Sequence, residues 1–290
     1  MQRTLSFVLN HPFTKGHRLA GIAKLLKWQL TSRLHKKPVE FQFTQNSKLM
    51  VWKGLTGATG NIYCGLHEFE DMAFLLHFLR PGDLFADIGA NIGSYTMLAS
   101  AEIGARSVTV EPLPATFKNL VQNIQLNNIG DKVNVLNIGI GSKKGILKFT
   151  RAHDTGNHVA TDEDHDVTEV PVDTLDSILA GETPALIKID VEGFETEVLN
   201  GAANTLASLG LKAIIIELNG AGNRYGFDDQ DIHRLLLSQG FRTMRYSPFN
   251  RELKDAQLNT EHNTLYVRDV EIVKERLGRA RTVYVQGRAV

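Results

Sequence analysis

Acids, glycines and an asparagine stand at the ends of short apolar runs in this chain. The first group is Leu84-Phe-Ala-Asp87-Ile-Gly89-Ala-Asn91-Ile-Gly93-Ser94. It follows an apolar run and opens a helical pattern, the setting in which glycines build a ligand loop. Gly89 permits a tight turn, and Gly93 lets helix and ligand approach closely. The spacing is Gly-x-x-x-Gly, not the Gly-x-Gly-x-x-Gly that seats a pyrophosphate on a helix N-terminus. Asp87 would repel a phosphate and suits a cationic group. The second group, Val108-Thr-Val110-Glu111-Pro112, puts an acid 22 residues past Gly89. That is where a ribose diol finds its acceptor. Together they imply an adenosine-type ligand with no phosphate requirement. S-adenosylmethionine, with its ribose, adenine and sulfonium-bearing amino acid, fits.

Two further acidic groups end later runs: Ile187-Lys188-Ile189-Asp190-Val-Glu192-Gly193 and Ile216-Glu217-Leu-Asn219. Asp190 and Glu192 are expected at the carboxyl edge of a sheet, near its topological switch point. Acids at the ends of adjacent strands can hold a hard cation, or set a general base beside a hydroxyl. Glu192 can equally be an acid favoured by a helix N-terminus. Among the histidines, His67, His158, His165 and His233 are weaker candidates for a base. His158 ranks first, because Gly156-Asn-His158 lies in a polar loop able to cover the site.

The elements that must position these groups alternate. Leu84–Ile88, Ser107–Val110, Val133–Ile138, Ala185–Ile189 and Ala213–Leu218 read as strands. Ser94–Ile103, Ala115–Asn127, Glu192–Leu206 and Asp229–Ser238 read as helices. That alternation predicts parallel βαβ units, and near-continuous apolar strands predict a sheet covered on both faces. Phe241–Tyr246 and Thr264–Val267 read as an antiparallel edge pair. Residues 141–171 interrupt the rhythm as an insertion, with strands Gly145–Thr150 and Val167–Val170 flanking the polar loop Arg151–Asp166. The expected division is an N-terminal extension over 1–64, with a strand-rich stretch at 40–64. A catalytic α/β domain over 65–270 and a helix/strand tail over 271–290 follow.

Composition bounds the rest. The chain has 290 residues, 42% hydrophobic and 22% charged, with Lys+Arg and Asp+Glu both at 32. Those values describe a globular protein, and the zero net charge argues against a nucleic-acid partner. Cys64 is alone, which rules out an internal disulfide and argues against a thiolate zinc site. No apolar run reaches 18 residues, and no secretory signal pattern is evident, so the expected location is cytoplasmic. One asymmetry stands out. Arg3, Lys15, Arg18, Lys24, Lys27, Arg33, Lys36 and Lys37 precede the first acid, Glu40. Within that stretch Leu19, Ile22, Leu26, Leu30 and Leu34 recur at helical spacing. Such a helix (residues 15–37) can lie peripherally on an anionic membrane, or dock its apolar stripe on the protein with its charges in water.

Asp87-Ile-Gly-Ala-Asn-Ile-Gly93, Glu111-Pro112 and Lys188-Ile-Asp-Val-Glu-Gly193 resemble the signature segments of the FkbM family of methyltransferases. Arg80-Pro-Gly-Asp83, the Asn119…Asn123…Asn127 helix and Val172-Asp-Thr-Leu175 resemble it too, so the likeness spans roughly residues 65–270. It implies a doubly wound, mostly parallel, Rossmann-like sheet of seven strands with the last antiparallel. It also implies methyl transfer from S-adenosylmethionine to a hydroxyl of a sugar, glycan or other natural product. By that likeness Asp87, Gly89, Asn91 and Gly93 form the cofactor loop, Glu111 holds the ribose, and Asp190 lies between cofactor and acceptor. Asp190 or His158 would take the hydroxyl proton. Asp190, Glu217 and Asn219 also resemble, by position, the magnesium triad of catechol-type O-methyltransferases. Clusters of this kind are more often ion-pair networks, so the metal is not the favoured expectation. Three rivals stand beside this reading. A methyltransferase acting on nucleic-acid bases is expected to show an Asn/Asp-Pro-Pro-Tyr/Phe element after the fourth strand, where Lys188-Ile-Asp-Val-Glu-Gly193 stands instead. A nicotinamide oxidoreductase is disfavoured by the loop spacing. A non-catalytic scaffold held to a membrane or complex by its basic N-terminal helix is opposed by intact Asp87, Glu111 and Asp190.

Overall fold

Each of the five apolar runs becomes a parallel strand, and their order in space explains why acids far apart in sequence meet. The computed structural model describes residues 2–34, 37–151, 156–259 and 262–290. Residues 35 and 36 of the basic segment 15–37, and 152–155 of the insertion 141–171, therefore lie outside the described residues. The strands are β1 (Leu84–Ile88), β2 (Arg106–Val110), β3 (Val133–Leu136), β4 (Leu186–Ile189) and β5 (Ala213–Glu217). They are followed by β6 (Arg242–Ser247), β7 (Glu252–Asp255) and β8 (Asn263–Val267). The order across the sheet is β7-β6-β8-β5-β4-β1-β2-β3. The chain winds outward from β1 to β3 and returns to β4 on the other side of β1. That return is the switch point, where loops leaving β1 and β4 diverge and open a crevice.

The doubly wound, mostly parallel sheet is as expected, with one strand more than seven. The pair β6 and β8 is antiparallel, with Arg242 opposite Val267. It is not the edge, because β7 folds back on β6 with Met244 opposite Asp255. Glu252-Leu-Lys-Asp255 shows only one apolar residue, which is why its pattern is silent: an edge strand needs to bury one position, here Leu253.

Alternate strand residues feed two cores. Phe85, Leu186, Ile215 and Val267 face one, with Phe43, Phe74, Phe78 and Val285. Ala86, Ile187, Ile189, Ile214 and Ile216 face the other, with Val198, Leu206 and Leu236. This two-sided burial accounts for the unbroken apolar runs.

Several local readings change. Residues 40–64 contain a hairpin, Val39–Gln42 with Lys48–Val51, but Thr56–Cys64 is a helix (α3) rather than strand. Gly57, Ala58 and Gly60 hide helical periodicity there. The expected helix Glu192–Leu206 is two short ones, Glu195–Asn200 and Ala203–Ala207, broken at Gly201. Main chain packs directly on Gly201, where a side chain would overlap the carbonyl of Gly141. The segment Ser94–Ile103 is helical throughout, but widens to a π-helix over Met97–Ile103.

The insertion forms a small sheet of its own, Gly139–Ile140, Val167–Asp173 and Gly145–Thr150 in that spatial order. Its apolar face, Phe149, Val159, Val170 and Val172, packs with Leu113, Phe194 and Tyr225 over the open end of the crevice. The N-terminal helices α1 (Gln2–Asn10) and α2 (Arg18–Leu34) pack through Val8 and Leu25, with Phe13 of the turn between them, into the core that Val283 and Val285 of the tail also fill. Among the described residues no helix is long and apolar enough to cross a membrane.

Candidate active site

The loop after β1 is fixed to the neighbouring strands by its own main chain. Gly89 N and Ala90 N both donate to Val110 O, at 3.0 and 2.9 Å. Gly89, Asn91 and Gly93 take positive φ of 82°, 53° and 87°. A methyl group on Gly89 would overlap the main-chain oxygen of Asp190, so the glycine is what lets β1 and β4 end side by side. One on Gly93 would lie 2.5 Å from Leu120 Cδ1. Gly93 therefore serves the packing of helix Pro114–Leu126 and does not line the cavity, unlike Asp87, Gly89 and Asn91. The asparagine ladder has a related role. Buried Asn123 donates to Ile92 O at 2.8 Å and accepts from Met50 N at 2.7 Å, tying the loop to the N-terminal hairpin.

Asp87, Gly89, Asn91 and Glu111 line a cavity of about 440 Å³, a size suited to a small organic ligand. Asp87 is only 2% exposed and accepts from Thr96 Oγ1 at 2.6 Å. Burial pushes its carboxyl up to about 6. Glu111 Oε2 accepts from Asn91 N and Oε1 from Leu113 N, both at 3.0 Å, and burial lifts it to about 7. Both carboxylates are thus short of positive charge or donors. A ribose diol donating to Glu111, and a cation near Asp87, would relieve that deficit. The donor set fits a sulfonium nucleoside.

On the other wall, Asp190, Glu192 and Glu217 bring their carboxylate oxygens within 4.8 Å of one another. Glu192 stands at φ 55°, held there by the turn into Gly193. Burial, then the Asp190 charge, raises Glu192 to about 7 and Glu217 to about 8. Asn219 is not part of this group: it is exposed, and its side-chain oxygen accepts from Ala221 N at 2.9 Å. The acid found beside Asp190 and Glu217 is therefore Glu192, and Asn219, the third member of the triad in the sequence reading, does not line the cavity.

His158 is also misplaced by that reading. Its Nδ1 lies 2.9 Å from Gly156 O and its Nε2 3.6 Å from Asp164, within the insertion, and it does not line the cavity; Asn157 does. His233 bonds Tyr266 OH at 2.9 Å, away from the cleft. His67 lies at the rim.

The component with no assigned role in the sequence is Lys188. It is 1% exposed, and its Nζ contacts Asp190 Oδ2 at 2.9 Å and Asn263 Oδ1 at 3.2 Å. Burial alone would lower its pKa, but Asp190 and Glu68 outweigh that and hold the ammonium above the usual lysine range. Asn263 donates onward to Glu68 at 2.8 Å and Asp71 at 3.1 Å, and Tyr95 OH donates to Glu68 at 2.7 Å. A lysine inside Leu-Ile-Lys-Ile was the available signal, since a buried lysine must be paired. Its partners, Glu68 and Asn263, lie too far away in sequence to be read.

The model of the methyltransferase FkbM domain matches residues 87–243, just over half of the chain. The chain belongs to the FkbM methyltransferase family. This FkbM-family protein is an S-adenosylmethionine-dependent methyltransferase. It is 29% identical over 190 residues to the hexuronic acid methyltransferase AglP of Haloferax volcanii, taking in 64% of this chain and 74% of that one. It is 28% identical over 171 residues to the 31-O-demethyl-FK506 methyltransferase FkbM of Streptomyces tacrolimicus, taking in 46% and 65%. A solved FkbM methyltransferase from Methylobacillus flagellatus aligns with a TM-score of 0.46 and 18% identity, over 72% of this chain and 52% of its own.

Proposed function

We propose that this methyltransferase acts on a hydroxyl oxygen of a sugar, glycan or other small natural product. The observation that carries the reading is the carboxylate group Asp190, Glu192 and Glu217, set across one cavity from Asp87 and Glu111. Asp87, Gly89, Asn91 and Glu111 hold S-adenosylmethionine, which supplies a methyl group on a positively charged sulfur when bound. Asp190, fixed by Lys188, accepts a hydrogen bond from the acceptor hydroxyl and orients it. Glu217, poised near neutrality, takes the proton, because a base works best with a pKa close to the working pH. Orientation by the two walls supplies much of the remaining acceleration. That one relative is a hexuronic acid methyltransferase and the other a 31-O-demethyl-FK506 methyltransferase supports a sugar or natural-product acceptor.

The test is calorimetric titration with S-adenosylmethionine and S-adenosylhomocysteine, with NAD as control. Saturable binding of the first two is expected, weakened about tenfold or more in Glu111→Ala by loss of a charge-assisted hydrogen bond. Absence of binding to folded protein would favour the scaffold reading instead.

Charge narrows the acceptor further. Among the described residues that line the cleft, Glu68, Asp190, Glu192 and Glu217 stand against one ammonium, Lys188, and Glu192 and Glu217 carry their full charge once the pH is above about 8. An acceptor bringing its own carboxylate or phosphates meets repulsion there, which also argues against nucleic acid. A neutral glycoside is therefore expected to be methylated at least about tenfold faster than the matching hexuronate, since one repulsive contact costs more than about 1.4 kcal/mol at a part-buried site. Equal rates on the two acceptors would remove this argument.

A further inference from the structure

Helix α2 settles the choice posed by its sequence in an unexpected way. The face that docks on the protein is Gly21, Leu25, Trp28 and Ser32, with Gly21 in close approach to Val8 of α1. At 3.6 residues per turn, the leucine stripe lies on the opposite side. Leu19 is 84% exposed, Leu26 56% and Leu30 63%. The helix is thus apolar on two faces, and only one of them is covered by the protein.

The uncovered face carries basic groups at its margins. Lys27 and Arg33 flank the leucines on either side and are exposed, and Lys15 and Lys37 are exposed at the two ends. Neither Lys27 nor Arg33 has an ion-pair partner among the described residues. No acid precedes Glu40 in the chain. We propose that α2 docks this protein on an anionic membrane surface, with Leu19, Leu26 and Leu30 in the interface and Lys27 and Arg33 at the headgroups. Three features favour a membrane over a protein partner. The apolar groups form a long narrow stripe of flexible leucines, without the aromatic anchors that mark protein interfaces. A second copy of the same acid-free helix would set lysine and arginine against lysine and arginine. The charge sits beside the stripe, where an interfacial helix meets lipid headgroups.

The arrangement also bears on the active site. The docked face of α2 packs on α3, with Gln29 bonded to Tyr63 OH at 3.1 Å, and Gly57 of α3 lines the catalytic cavity. A surface-bound α2 therefore holds the cleft close to the membrane plane.

The test is co-sedimentation of the full chain with phosphatidylcholine vesicles, with and without phosphatidylglycerol. The protein is expected to pellet with the anionic vesicles and to remain in solution with the neutral ones. The triple variant Leu19→Gln, Leu26→Gln, Leu30→Gln keeps the docked face and good helix formers, so its melting temperature should hold while vesicle partitioning falls at least about tenfold. Lys27→Glu with Arg33→Glu should lower binding to anionic vesicles by about tenfold or more. Failure of the native protein to pellet, or unchanged pelleting of either variant, overturns the proposal. So does a concentration-dependent dimer that the leucine variant abolishes.

Discussion

Alanine at position 89 is expected to cost this protein both its cofactor site and a large part of its stability. Gly89 holds φ at 82°, where an L-residue costs about 1–2 kcal/mol. The larger penalty is steric. The new methyl group would overlap the carbonyl oxygen of Asp190, so the ends of β1 and β4 must part. Parting them pulls Gly89 N and Ala90 N from Val110 O and moves Asp190 away from Lys188. A loss of about 3 kcal/mol or more follows, a fall of about 6–12 °C in Tm for a chain of this size. S-adenosylmethionine affinity should drop beyond calorimetric detection. Gly82→Ala is the control. Its φ is 88°, but nothing lies within 4 Å of the added methyl group. It should show only the conformational cost and keep cofactor binding. Equal effects of the two substitutions would mean that backbone strain, not the β1–β4 junction, is what Gly89 relieves.

The same junction shows what could be read in advance. Strand-end acids and the Gly-x-x-x-Gly loop were legible because a parallel sheet puts carboxyl ends together whatever the intervening chain does. The reasons behind single residues were less so. Gly93 looks like a ligand contact, yet its missing side chain makes room for Leu120. Asn219 has the right distance from Glu217 in sequence, but β5 ends at Glu217, and Asn219 lies in the loop that follows, where its side-chain oxygen accepts from Ala221 N. Glu192 enters the acid cluster because its backbone adopts a left-handed turn, which residue type does not announce. The leucine stripe of α2 was visible, and its opposite face was not. Gly21, Leu25, Trp28 and Ser32 include only two large apolar residues, yet they dock because α1 and α3 are shaped to them. Periodicity shows where apolar groups lie on a helix. Which side finds a partner depends on elements it does not describe.

Glu217→Gln should separate stability from activity by moving them in opposite directions. Burial and the Asp190 charge raise Glu217 from 4.5 to about 8. A carboxyl whose pKa is higher in the folded than in the unfolded chain binds its proton more tightly when folded. Its contribution is therefore fully present below about pH 4.5 and is lost as pH rises through about 8. The ligand-free enzyme should melt at progressively lower temperature over that interval. Glutamine cannot ionise, so the variant should gain about 1–2 kcal/mol at pH 8.5, or about 2–6 °C in Tm, and nothing at pH 4.5. The solvent that reaches this half-buried group keeps the gain below what the full shift would give. Activity goes the other way. If Glu217 takes the hydroxyl proton, kcat/KM rises with pH to a plateau above about 8, and glutamine removes about 10²–10⁴-fold of it. The rising limb belongs to the coupled group with Glu192, which titrates near 7, so its midpoint falls between the two values. Asp190→Asn provides the contrast. It strips the buried Lys188 ammonium of its close partner and should destabilise by about 3 kcal/mol while also stopping turnover. An active Glu217→Gln enzyme would sink its role as base. A Glu217→Gln enzyme that is inactive and no more stable at pH 8.5 would show that the carboxylate is neutralised in the free protein by a cation, which dialysis against a chelator would then expose.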